Sequence, residues 1–117
     1  MVTVLLIDDN DELRELLRDG LKATGYQVIE ATNGRSGLPK FYESHPDLVI
    51  TDIVMDESEG IEVLLSIRKS TPQIPVITIS GHARYLDASR ELGAIATLLK
   101  PFAMSKLLSC VEKVIGK

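Results

Sequence analysis

Two spacings of apolar residues alternate along the chain. Short runs rich in β-branched residues occupy Val2–Ile7, Gln27–Ala31, Leu48–Thr51, Pro75–Ser80 and Ile95–Leu99. Runs of that length bordered by Gly, Pro, Asn or Asp predict strands. Between them, apolar residues return every three or four positions, the period of one helix face. Leu13, Leu16, Leu17 and Leu21 make one such stripe, and Met104, Leu107, Leu108, Val111, Val114 and Ile115 another. Ile61, Leu64, Leu65 and Arg68 predict a helix before the fourth strand, Arg84–Leu92 a weaker one after it, and Arg35–Ser44 one after the second strand. Pro39 lacks a backbone donor and is expected to kink or tighten the early turns of that last helix. Gly25 and Gly93 follow predicted helices, Asn33-Gly34 reads as a turn, and Pro46 and Pro72 close helices.

Strand and helix alternating five times predicts an α/β fold with a parallel sheet covered on both faces. The runs at Leu48–Thr51 and Val76–Ile79 are apolar almost throughout, as strands buried on both faces require. Right-handed crossovers then leave only a few doubly wound orders.

The 117 residues make one domain, 1–117, with no linker or repeat inside it. Hydrophobic residues are 44% and charged residues 26%, so a packed core is expected rather than disorder. Net charge is −4, the wrong sign for a nucleic-acid surface. No apolar run approaches the roughly 20 residues of a membrane helix, and no basic stretch leads into an apolar one at the start. The lone Cys110 cannot form an internal disulfide, which fits a reducing, cytoplasmic setting.

Ligands of open parallel sheets bind beyond the C-terminal strand ends. The first strand ends at Asp8-Asp9, the third at Asp52, the fourth at Ser80-Gly81 and the fifth at Lys100-Pro101. Taken singly each has an ordinary explanation: Asp8-Asp9-Asn10-Asp11 suits a helix cap, Ser80-Gly81 a turn, Lys100 a surface cation. Together they place three carboxylates, a hydroxyl and an ammonium at one sheet edge. Two like charges 4 Å apart repel by roughly 4 kcal/mol at an effective dielectric of about 20. Such a cluster calls for a cation, and a few hard oxygen ligands suit Mg²⁺. A metal, an ammonium, a hydroxyl and a nucleophilic carboxylate are the parts of a phosphoryl-transfer site.

Leu6-Ile7-Asp8-Asp9, Asp47 through Met55, Gly60, Val76 through Gly81 and Leu99-Lys100-Pro101-Phe102 resemble, as a set, the response-regulator receiver domains of two-component signalling. The resemblance runs from Val4 to Ile115. It implies a flavodoxin-like, doubly wound five-stranded parallel sheet in the order 2-1-3-4-5 with five helices. It implies that Asp52 accepts a phosphoryl group from a histidine kinase or histidine phosphotransfer protein. Asp8, Asp9, Asp52 and the backbone carbonyl of Val54 would hold Mg²⁺, with Asp9 the more direct ligand of the first pair. Ser80 and Lys100 would meet the phosphoryl oxygens, and the Lys100–Pro101 peptide would be cis. The phosphate, close to two negative charges, would draw Ser80 and the loop Gly81–Arg84 inward. The face of the fourth helix, fifth strand and fifth helix would then engage a downstream protein or a fused output domain, and is a candidate for homodimerisation. In such a domain phosphorylation and its reversal are self-directed; it is not an enzyme acting on other substrates.

The sequence departs from that pattern in places. Receivers commonly carry Tyr or Phe where this chain has Thr97, so an aromatic rotamer switch is impossible. Met55-Asp56-Glu57 replaces a common Met-Pro, giving an acidic loop over Asp56–Glu59. Val54 and His82 occupy the positions where polar groups orient the hydrolytic water in receivers that reset fast, which predicts a long-lived phosphorylated form. His82 is expected to be exposed at the rim, His45 on the surface, and Cys110 at the core boundary. Two other functions compete. One is a receiver-like interaction module that does not use phosphate, which Thr97 favours. The other is a haloacid dehalogenase-type phosphatase, which needs an acid where Val54 stands and a cap domain that 117 residues do not provide. The chain fits either a free-standing receiver or part of a larger regulator or hybrid kinase.

Overall fold

β1 (Thr3–Ile7), α1 (Asp11–Ala23), β2 (Gln27–Ala31), α2 (Gly34–Ser44), β3 (Leu48–Asp52), α3 (Glu59–Ser70), β4 (Val76–Ser80), α4 (Ala83–Glu91), β5 (Ala96–Leu99) and α5 (Met104–Ile115) follow one another along the chain. The structure, a computed structural model, describes residues 1–53 and 59–116, Glu59 by its backbone alone. All pairings are parallel and the strand order is 2-1-3-4-5, so the expected doubly wound sheet is the one observed. Strand boundaries differ from the sequence expectation by one residue: β1, β4 and β5 start one later and β3 runs on to Asp52.

Alternation along each strand divides the apolar residues between two cores. Val4, Leu6, Leu48, Ile50, Ile77, Ile79 and Leu98 face α1 and α5, where Leu17, Leu21, Leu107 and Val111 meet them. Leu5, Ile7, Val49 and Val76 face the other way, against Phe41 of α2 and Val63, Leu64 and Ile67 of α3. Each fully buried Leu or Ile contributes about 1.5–3 kcal/mol. Two residues depart from the burial their stripes predict. Leu16 is 61% exposed and Leu65 45%; α3 buries Val63, Leu64 and Ile67 rather than the face through Ile61 and Leu65.

Register lines up Thr51, Thr78 and Thr97 across β3, β4 and β5. Thr78 is fully buried, and its hydroxyl lies 2.7 Å from that of Ser89 in α4. Thr97 accepts a bond from Arg90 Nη2 at 2.7 Å. α4 therefore rests on the sheet through two threonines.

Helix ends follow local chemistry. Asn10 and Asn33 cap α1 and α2, each side chain accepting from the backbone N–H three residues on. Asn33-Gly34 is thus a helix start, not a free turn. Pro39 falls at the sixth position of α2 rather than in its first turn. Gly25 and Gly93 do take positive φ, 103° and 114°, as helix-terminating glycines. His45 also sits at φ 49°, closing α2, where no glycine signalled it.

Candidate functional site

Asp8 follows the last residue of β1 and is 1% exposed by its side chain. Its N–H donates to Ala31 O at 3.1 Å, which extends the β1–β2 ladder by one step. Its Oδ1 accepts from Asn10 N at 2.8 Å, and its carbonyl accepts from Arg14 Nη1 at 2.8 Å. Asn10 caps α1, so neither Asp8 nor Asp9 is occupied as a cap. Asp9 is exposed, beside its buried neighbour. Asp52 is the last residue of β3, its side chain 11% exposed.

One carboxylate oxygen from each of Asp8, Asp9 and Asp52 lies within 4.8 Å of the others. Lys100, directly after β5, reaches into the cluster: its Nζ is 3.3 Å from Asp52 Oδ1 and 3.6 Å from Asp8 Oδ2. The Lys100–Pro101 peptide is cis, as expected. Lys100 N also donates to Ser80 O at 2.7 Å, tying the lysine to the end of β4. Ser80 is buried at 2% exposure and its Oγ accepts from His82 N at 3.0 Å. The residues expected at the sheet edge, Asp8, Asp9, Asp52, Ser80 and Lys100, thus end neighbouring strands of one sheet.

Electrostatics favour a cation here. Burial pushes the Asp8 and Asp52 carboxyls above the usual carboxylate range, and Lys100 pulls both back only in part. Asp8 Oδ2 is buried without a hydrogen-bond partner among the described residues. A buried carboxylate oxygen of that kind, next to two more acids, fits a hard divalent ion.

Gly60, at the start of α3, explains itself by contact. A Cβ there would stand 2.5 Å from Asp52 O, so only glycine lets α3 start against the end of β3. His82 is exposed at the rim of the site and its ring lies 4.9 Å from that of Tyr85. α4 already begins at Ala83, so the loop expected over Gly81–Arg84 is only Gly81-His82. His45 is exposed, and Cys110 is half-buried against the α1–α5 core, as expected. Val54 and the acidic stretch Asp56-Glu57 lie outside the described residues.

Arg14 was missed from the sequence. It lies outside the apolar stripe of α1, yet its side chain is 11% exposed and it holds Asp8 O, Asp11 and Glu30. Beside the site, Asn10, Leu13, Leu16, Leu17, Phe102 and Met104 help line a groove of about 270 Å³ that reaches Lys100 and Pro101.

Residues 4–112 match the family model described as the response regulator receiver domain. The chemotaxis protein CheY of Thermotoga maritima is 36% identical over 114 residues, covering 95% of each chain. The regulatory protein AtoC of Escherichia coli is 33% identical over 114 residues, which are 96% of this chain but 25% of AtoC; the chain thus spans about a quarter of that relative. Among solved structures, the response regulator TrrA of Thermotoga maritima, crystallised with Mg²⁺ and beryllofluoride, superposes with a TM-score of 0.89 at 33% identity, over 97% of this chain and 99% of that one. A receiver domain from Clostridium thermocellum gives 0.91 at 28% identity, over 99% and 95%. With the family model covering nearly the whole sequence and the sheet order matching, the chain belongs to the response regulator receiver domain family of two-component signalling.

Proposed function

We propose that this receiver is a phosphorylation-operated switch with Asp52 as acceptor. The observation that carries the reading is the partly exposed Asp52 carboxylate, 3.3 Å from Lys100 and clustered with Asp8 and Asp9. An Asp52 oxygen attacks the phosphorus of a phosphohistidine on a histidine kinase or phosphotransfer protein. The P–N bond breaks, its electron pair stays on the imidazole nitrogen, and an acyl phosphate forms. Asp8, Asp9 and Asp52, with the Val54 carbonyl, would hold Mg²⁺, which supplies charge neutralisation for the approaching phosphoryl oxygens. Lys100 exchanges its Asp52 contact for a phosphoryl oxygen. Ser80 donates its hydroxyl proton to another, and that hydroxyl is already bonded to His82 N, so its shift pulls on the start of α4.

The phosphodonor has an apolar foothold: Leu16 stands exposed on the groove that ends at Lys100. The outgoing surface is α4, β5 and α5, where Leu92, Ile95 and Leu99 are exposed; it would meet a downstream protein, a fused output domain or a second copy. Thr97 bonded to Arg90 takes the place of an aromatic switch, and this favours movement of α4 itself as the signal. The lack of an aromatic at Thr97 is what favours the second reading, a module that binds partners without phosphate.

Labelling from a radioactive small phosphodonor separates the readings. Wild-type protein should be labelled with Mg²⁺ and not in EDTA, and Asp52→Asn should lose the label, because an amide is not nucleophilic. Label on Asp52→Asn at the wild-type level would remove Asp52 as the acceptor. An unlabelled wild type that also ignores beryllofluoride would favour the phosphate-free module.

A further inference from the structure

Asp9 is held in an unusual way. It is exposed, and no hydrogen bond or ion pair to its carboxylate joins it to another described side chain. What is fixed is the Cα–Cβ bond from which its carboxylate starts, and the backbone sets that bond. The peptide linking Asp8 to Asp9 is planar, so it turns as a unit, and holding the Asp8 carbonyl restrains the backbone rotation on both sides of it. That carbonyl accepts from Arg14 Nη1 at 2.8 Å.

Arg14 is itself locked. Its Nε pairs with Glu30 Oε1 at 3.2 Å and its Nη2 with Asp11 Oδ1 at 2.7 Å. The other oxygen of Glu30 takes Arg18 Nη1 at 3.2 Å. Glu30 stands in β2 next to Ala31, whose carbonyl holds Asp8 N. The Asp8 backbone is thus gripped at its N–H by β2 directly and at its carbonyl by β2 through Arg14. The guanidinium spreads its donors over a rigid planar fork that spans the carbonyl and both carboxylates, whereas an ammonium gathers its three donors on one nitrogen.

We propose that Arg14 is a positioning residue for the cation end of the site. It aims Asp9 by fixing the Asp8–Asp9 peptide, without touching metal or phosphate itself. This rests on the reading of Asp8 and Asp9 as cation ligands. The rival view is that Arg14 merely clamps α1 to β2, and Arg18 provides the comparison, since it holds the same Glu30 but does not touch Asp8.

The test is calorimetric titration of Mg²⁺ into wild type, Arg14→Gln, Arg14→Lys and Arg18→Gln, with melting curves in EDTA. Groups that orient metal ligands typically change affinity about 10–100-fold. Arg14→Gln and Arg14→Lys should both weaken Mg²⁺ by about tenfold or more, while Arg18→Gln loses stability and keeps Mg²⁺ affinity within about twofold. Should Arg14→Gln fail to fold, Arg14→Lys carries the comparison, since it retains the charge. Unchanged Mg²⁺ affinity in the Arg14 variants overturns the proposal, as does an equal loss in Arg18→Gln. A wild type that takes up no Mg²⁺ overturns the reading beneath it, and the wild-type titration shows that before any variant is made.

Discussion

A single carboxyl illustrates how the site works against the fold. Burial raises the folded-state pKa of Asp52 above its ordinary value, and Lys100 offsets this only in part. The folded protein then binds a proton that the unfolded chain has already released, so stability falls as pH rises through that window. The window opens near the ordinary carboxylate value of about 3.9 and ends at the raised one. Asp52→Asn carries no such charge. In EDTA at neutral pH it should melt above wild type, by roughly 4 °C for each kcal/mol relieved. The gap should close as pH falls through the carboxylate range. Melting curves from pH 7 to pH 4 check this; a constant gap would mean that ionisation of Asp52 is not what destabilises the metal-free fold. Sequence could place Asp52 at a strand end, but its desolvation depends on what the fold packs around that end. Arg14 was hidden for the same reason. Nothing in a helical pattern says that one polar-face residue folds back under a carbonyl.

Among the elements, α4 is attached differently from the rest. Its buried residues are Leu86 and Ser89, and its N-cap, His82, makes no side-chain cap bond. Ser89 Oγ donates to Leu86 O at 2.8 Å. A hydroxyl has one proton, so Thr78 must donate to Ser89 across the 2.7 Å contact. Ser89→Ala then strands a buried donor and should cost about 1–3 kcal/mol, more than Thr78→Val at about 1 kcal/mol, which leaves only an acceptor unmet. The double variant should cost less than the sum by at least about 0.5 kcal/mol. Urea unfolding of the four proteins measures this, and strict additivity would show that the two hydroxyls do not act as a pair. Element type and order were legible because strands buried on both faces and helices of one stripe have different periods. Faces were less so: Leu16 and Leu65 fit their stripes by spacing, yet an apolar residue at a stripe's edge is buried only if a neighbouring helix reaches it.

For the molecule as a whole, the acidic edge sets a balance between stability and cation binding. Asp9→Ala removes one of three clustered charges and leaves the α1 cap intact, since Asn10 makes it. In EDTA the variant should therefore melt higher than wild type. With Mg²⁺ at 100 times its dissociation constant, wild type should gain about 2.7 kcal/mol and overtake it. Melting with and without Mg²⁺ decides, and a variant less stable than wild type in EDTA would refute the repulsion argument. Topology and the positions of the acids were readable from residues that recur at strand ends; the distances between them were not, because they depend on register. The two cores have one more consequence. α1 and α5 share one and α2 and α3 the other, while Leu86 of α4 belongs to neither. Amide protons of α4 should therefore exchange with solvent faster than those of β1 and β3, through a local opening that leaves both cores closed, and hydrogen exchange checks this. An opening of that kind belongs to the microsecond-to-second range of local unfolding rather than to global unfolding. The helix that would carry the signal would then open and reclose many times within the lifetime of one folded sheet.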